Sequence, residues 1–246
     1  MDELAGWPVK ELIGFDLETT GVDRFSDVPV SFALVTWENG LVTERVGQLV
    51  DPGREIPAGA TGVHGITTAQ ARDEGLPLEV AIGLLADRLV DAGRRGVPIA
   101  GMKLDYDLTI LDVQCRRLDG RGLAERGWTG PVLDAVVLDR HVDRYRKGRR
   151  TLVHLCEHYG VTIDNAHDAV ADAEASVGVV LAIASRFPEL TQMTAADLHH
   201  AEAQWHREWA TSFDSWRQGK GQPPLDPRDF EWPVADAGGG GSSAVA

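Results

Sequence analysis

Asp16 and Glu18 stand two residues apart in Ile13-Gly-Phe-Asp-Leu-Glu-Thr-Thr-Gly21, an otherwise apolar, strand-like run. Successive side chains of a strand alternate between its faces, so both carboxylates lie on the same face. Side by side they repel, and burying them is unfavourable unless a cation sits between them. Oxygen-only ligands of this kind suit Mg²⁺ or Mn²⁺. Thr19, Thr20 and Gly21 then break the strand and leave the acids near its end, where open α/β sheets bind ligands. A solvated surface strand can carry the same pair, so the chemistry turns on what else the chain supplies.

Further titratable residues come in two later segments. His167-Asp-Ala-Val-Ala-Asp172 leads into a long helical pattern whose stripe is Val170, Ala173, Val177, Val180, Leu181 and Ala184. Asn165 or Asp168 is positioned to cap that helix, and Asp172 falls in its first turns, off the apolar stripe. Between the two acidic regions, the short strand Val97-Pro-Ile-Ala-Gly101 precedes a helix with the stripe Leu104, Leu108, Leu111, Cys115 and Leu118. Asp105 and Asp107 open it, where acids also serve as plain partners of the helix dipole.

In this order, Phe15-Asp-Leu-Glu-Thr-Thr-Gly21, Tyr106-Asp107 followed by Ile110-Leu111, and His167-x-Ala169-x-x-Asp172 resemble the three motifs of the DnaQ-like (DEDDh) 3′-to-5′ exonucleases. That group includes the proofreading epsilon subunits of bacterial replicative polymerases and the RNase T and oligoribonuclease branches. The resemblance runs from about residue 10 to about residue 188 and extends to Val63-His-Gly-Ile-Thr67 and to Leu152–Gly160. One departure is visible. Many members carry His-Asn-Ala-x-Phe-Asp where this chain has Met102-Lys-Leu-Asp-Tyr-Asp107. Lys103 in place of Asn exchanges a neutral hydrogen bond for a phosphate contact or a solvated cation. Asp105 is a rival to Asp107, and Asp107 is preferred because the Ile-Leu pair follows it at the family offset.

The resemblance implies an enzyme that hydrolyses phosphodiester bonds with two divalent ions, Mg²⁺ or Mn²⁺, held by Asp16, Glu18, Asp107 and Asp172. By the same resemblance His167 takes the proton from the attacking water, a role that suits a side chain titrating near working pH. The product is a nucleoside 5′-monophosphate from the 3′ end of single-stranded DNA; an RNA exonuclease is the alternative. Thr19, Thr20, Gly21, His64, Lys103 and Tyr106 are expected to contact substrate. A polymerase-associated module that acts mainly by binding a partner is the competing class, disfavoured by the intact set of acids.

Net charge is −14 over 246 residues, which argues against coating long duplexes and not against gripping a few nucleotides at one end. Arg144-Tyr-Arg-Lys-Gly-Arg-Arg150 runs against that balance, and Arg146, Lys147 and Arg149 are read as a phosphate-tracking loop. Cys115 and Cys156 are the only cysteines and read as buried free thiols. No apolar run reaches membrane-spanning length and the start lacks a secretory pattern, so the expected location is the cytoplasm, with no membrane partner.

The elements that must position these groups read as strands over 11–18, 30–38 and 41–50, the last two joined at Asn39-Gly40, a strong hairpin turn. Asp51-Pro-Gly and Ile56-Pro-Ala-Gly read as loop. Helices follow at 68–74 and 77–92, the second with the stripe Ala81, Leu84, Leu85, Arg88 and Leu89. Then come strand 97–101, helix 105–119, strand 131–137, and helices 150–159 and 167–186. Asp134 reads as a structural acid at a helix start, and His154 and His158 as ordinary helix residues. Hairpins first and β-α units later suggest a mixed sheet flanked by helices. The fold class is α/β, a ribonuclease H-like five-stranded sheet with a C-terminal helical extension, as the family implies. Residues 1–188 form the exonuclease domain, 189–235 a Trp-rich extension and 236–246 a flexible Gly/Ser tail. The helix at 195–217 carries Leu198, Trp205, Trp209, Phe213 and Trp216 on one side. That stripe docks on the domain, or binds a DNA polymerase or a second copy.

Overall fold

The computed structural model describes residues 10–163 and 168–237. Its centre is a mixed sheet of β1 (Glu11–Thr19), β2 (Pro29–Glu38), β3 (Leu41–Asp51), β4 (Leu76–Pro77), β5 (Ile99–Gly101) and β6 (Val132–Asp134). The order across the sheet is β4-β3-β2-β1-β5-β6. The first three strands form an antiparallel meander, and β5 and β6 run parallel to β1. Asn39 and Gly40 both take positive φ, as a two-residue hairpin turn demands. A sixth strand joins the five expected ones: Leu76 and Pro77 pair with Val50 and Asp51 at the outer edge.

Eight helices flank the sheet among the described residues: α1 (Ala58–His64), α2 (Thr68–Glu74), α3 (Leu78–Arg95), α4 (Leu104–Asp119), α5 (Ala135–Val142), α6 (Leu152–Tyr159), α7 (Ala169–Arg186) and α8 (Ala195–Gly219). Strand β1 divides the core. Ile13, Phe15 and Leu17 face the cluster built with α3 and α4, while Leu12 faces the one built with α5, α6 and α7. Cys115 and Cys156 are buried and unbridged, as the sequence suggests.

Three local readings need correction. Ala58 and Gly59, read as loop, instead open α1, which runs on to His64: Pro57 precedes the first helical residue, and Gly65 closes the helix in the left-handed conformation. The buried stripe of α3 is Ala81, Leu85 and Leu89 with Ile82 and Ala86, and Leu84 is 38% exposed. The run 131–137 is not one strand. It pairs only over 132–134, where Asp134 accepts hydrogen bonds from the N–H groups of Val136 and Val137 and starts α5. An apolar run cannot by its periodicity separate a buried strand from a buried first helical turn.

The extension packs onto the sheet edge. On α8, His199 Nδ1 accepts from Val132 N at 3.2 Å and the Glu202 carboxylate accepts from Asp134 N at 2.8 Å. The outer N–H groups of β6 are thereby satisfied by side chains rather than by another strand. The chain then turns back across α4, where Ala235 N donates to Thr109 Oγ1 at 3.0 Å beside the buried Trp232.

Candidate active site

Strand β1 carries Gly14, Asp16 and Glu18 on the face that looks toward α7. Helix α7 lies unusually close there. A Cβ on Gly14 would stand 2.8 Å from the Ala173 carbonyl oxygen and 2.9 Å from a Val177 methyl, and one on Gly47 of β3 would stand 2.5 Å from Val170. These glycines let α7 settle onto the strands, with Asp168 capping it through the N–H groups of Val170 and Ala171. One turn in, Asp172 faces the end of β1. Ligand oxygens of Asp16, Glu18 and Asp172 lie within 4.8 Å of one another, the only such cluster among the described residues. A register shift between Glu18 and Thr19 in the pairing with β2 ends the regular ladder at this point.

Asp107 comes from the first turn of α4 and is buried, its carboxylate accepting from Leu17 N at 3.2 Å. Asp134 helps set that helix, because its second oxygen accepts from Leu104 N at 2.7 Å. Asp105 is spoken for: Arg24 bridges it at 3.1 Å and Asp229 at 2.7 Å. The structure thus separates the two acids that the sequence left as rivals.

The electrostatics are those of a site short of positive charge. Burial, then Asp107, Asp172 and Glu18, hold the Asp16 carboxyl well above the usual range. Burial, then Asp172 and Asp168, push Glu18 up to about 7. Burial and Asp105 raise Asp107. Carboxyls crowded so that they resist ionisation gain most from a cation, and an all-oxygen set favours a hard divalent one. The residues present fit such an ion.

Around the acids, Thr19 Oγ1 donates to the Gly21 carbonyl at 2.7 Å and lies 3.2 Å from Tyr106 Oη, which also donates to Gly21 O. Through Tyr106 this knot adjoins a cleft of about 550 Å³ that is also lined by Asp16, Lys103, Asp107, Arg140 and Trp209 among others. Lys103 is exposed and left-handed, with φ of 59°, a region that suits Asn far better than Lys. His64 ends α1 with Nδ1 accepting from Ile66 N at 3.1 Å, which puts the proton of the neutral ring on Nε2. His167 lies outside the described residues.

Two residues expected to contact substrate have side chains engaged elsewhere. The Thr20 hydroxyl donates to Asp27 and accepts from Val28 N and Arg54, which uses its hydrogen-bonding capacity away from the cleft. Arg146 is not a free phosphate ligand. With Arg150 it clamps the fully buried Asp139, at 3.2 and 2.5 Å, and Tyr159 adds a third bond. Lys147 and Arg149 remain exposed. His154 and His158 sit in helical contacts with Thr151 and Arg186. Conversely, the sequence reading missed Arg140, which lines the cleft, because α5 was hidden inside an apparent strand. A capping Asp followed six residues later by a basic residue was the available signal.

Comparison with known proteins agrees with this geometry. The profile of the Exonuclease (RNase T) family matches residues 13–180. The chain is 32% identical over 200 residues to a DNA polymerase III subunit epsilon-like protein of Rhodobacter capsulatus, covering 74% of this chain and 26% of that protein. It is 28% identical over 193 residues to the 3′-5′ exonuclease DinG of Bacillus subtilis, covering 77% of this chain and 19% of the relative. A PolC-type DNA polymerase III of Lacticaseibacillus paracasei is 28% identical over 184 residues, 75% of this chain and 12% of its own length. The chain therefore spans about a quarter or less of these relatives. Among solved structures, E. coli exonuclease I in complex with a dT13 oligonucleotide superposes with a TM-score of 0.61 at 21% identity, over 74% of this chain and 42% of that one.

Proposed function

The chain belongs to the Exonuclease family, and from that premise we propose that it is a metal-dependent 3′-to-5′ exonuclease releasing nucleoside 5′-monophosphates from single-stranded DNA. The observation that carries the reading is the convergence of Asp16, Glu18 and Asp172 at the end of β1, with Asp107 beside them. These four acids would hold two divalent ions, Mg²⁺ or Mn²⁺. Such ions, when bound, stabilise the charge on the attacking and leaving oxygens of phosphodiester cleavage. His167 takes the proton of the attacking water, a contribution of about 10²–10⁴-fold for a well-placed base. Thr19, Gly21 and Tyr106 shape the wall against the terminal nucleotide, and Lys103 offers its ammonium to a phosphate. DNA is favoured over RNA by the polymerase names of the relatives and by the oligonucleotide bound to exonuclease I. Those same names make a polymerase a candidate partner. The cytoplasm is the compartment that goes with this reading; no described helix is long and apolar enough to cross a membrane.

The test is degradation of 3′-free and 3′-blocked oligonucleotides, DNA and RNA in parallel, with Mg²⁺, Mn²⁺ or EDTA and with Asp16→Ala as control. Stepwise shortening from free 3′ ends, lost with EDTA and in the variant, is expected. No cleavage with either metal overturns the reading.

A further inference from the structure

The cleft at the carboxylates does not end at its own rim. Arg140, His206 and Trp209 line it and also line a second depression of about 600 Å³ between α5 and the C-terminal half of α8. The two depressions adjoin at these three side chains. The walls of the second have an unusual composition for a chain of net charge −14. On one side stand Arg140, His141, Arg144 and Tyr145; on the other stand Trp209, Phe213 and Trp216. Glu208 is the only carboxylate among the described residues that line this second depression.

The aromatic side is ordered. Trp209 and Phe213 stack with ring centroids 5.2 Å apart and planes 14° apart, and Phe213 and Trp216 do so at 5.8 Å and 12°. Trp216 is 54% exposed at the outer end, and Tyr145 is 87% exposed across from it. The Arg140 guanidinium lies 3.4 Å from the Trp209 ring centroid, half-buried, with no hydrogen bond or ion pair to a described residue. A half-buried cation with unused donors and a run of parallel, partly bare rings both fit a polyanion that carries flat bases. Trp209, Phe213 and Trp216 all lie outside the stretch matched by the family profile, residues 13–180.

We propose that this groove carries the single strand 5′ of the scissile nucleotide, with Arg140 and Arg144 on its phosphates and Tyr145 and Trp216 stacking its bases. The inference rests on the exonuclease reading, which places the 3′ end at the acids. It gives the C-terminal helix a task in substrate binding.

The test compares binding of 5′-labelled dT3 and dT12, with Ca²⁺ in place of Mg²⁺, by fluorescence anisotropy. The wild-type protein should bind dT12 at least about tenfold more tightly than dT3, given the usual worth of base–aromatic stacking. The exposed pair Tyr145→Ala with Trp216→Ala should erase most of that gain, and Trp216→Phe should keep it. Arg144→Gln should reduce the salt slope of dT12 binding by about 0.7. Retention of the full gain in the double variant overturns the proposal. So does a dimer that dissociates in Trp216→Ala with dT12 affinity unchanged, which would assign the face to a second copy. Hydrolysis of the nitrophenyl ester of thymidine 5′-monophosphate by the wild-type protein tests the acids separately. An inert protein with a length-dependent affinity sinks the exonuclease reading and leaves the groove. An active one with no length dependence does the reverse.

Discussion

Among the described residues the charged neighbours that act on Asp16 are all acids, and that fixes how the metal-free protein responds to substitution and to pH. Replacing Asp16 or Asp172 with Ala should abolish nuclease activity and raise the melting temperature in EDTA, because crowded acids are relieved of mutual repulsion. Burial, then Asp172 and Asp168, push the Glu18 carboxyl from its ordinary 4.5 up to about 7. Its contribution to stability is fully present below about 4.5 and is lost as pH rises through about 7. Melting in EDTA should therefore fall between pH 5 and pH 8, and saturating Mn²⁺ should flatten the trend; an unchanged trend with metal contradicts the site. Arg146 calls for a different expectation. It was read as a phosphate contact and instead holds Asp139, which has no exposure. Arg146→Gln should cost about 1–3 kcal/mol in a denaturant titration, because a buried carboxylate loses a partner. Its salt slope of DNA binding should stay at the wild-type value.

The elements work by close approach and by capping. Gly14 allows α7 to rest on β1, and the same contact delivers Asp172 to Asp16 and Glu18. Gly14→Ala should push the helix away, lower stability by about 1–3 kcal/mol and reduce turnover, with folded structure retained by circular dichroism. A small residue's effect on activity would then come through packing alone. Glu202 of α8 is a second case. It is fully buried against Asp134, and burial followed by that neighbour holds its carboxyl well above the usual range. Stability from this group is present below about 4.5 and is lost as pH rises toward its folded value. Glu202→Gln should accordingly raise the melting temperature at pH 8 more than at pH 5. Most elements were legible because their patterns agreed with their neighbours: alternation in β1 to β3, an Asn-Gly turn, and capped stripes in α4 and α7. Helix α5 was not, since Val132 to Leu138 is buried on every side and has no polar face to betray its period. Nothing local in the sequence says that Asp105 meets Arg24, 81 residues away, and that pairing is what distinguishes it from Asp107.

At the scale of the molecule, the acidic chain gathers its cations where the substrate is proposed to run and spends the others on ion pairs. The extension does more than line that path. His199 and Glu202 close the edge at β6, and Trp232 and Ala235 cover α4. Cutting the chain after Pro188 should leave a protein that aggregates or melts well below the intact one; a monomeric fragment of unchanged melting temperature would show the extension to be a separate body. The side-chain seal on β6 also bears on assembly. A partner that docks by lending a strand, as many recruitment motifs do, finds that border of the sheet already taken. The opposite border offers β3 beyond its two-residue pairing with β4, and there it presents Glu44 and Arg45 to solvent. A partner of the proposed exonuclease is therefore expected to read helix surfaces or a terminal tether, and a peptide designed to add to the sheet should fail to compete with it.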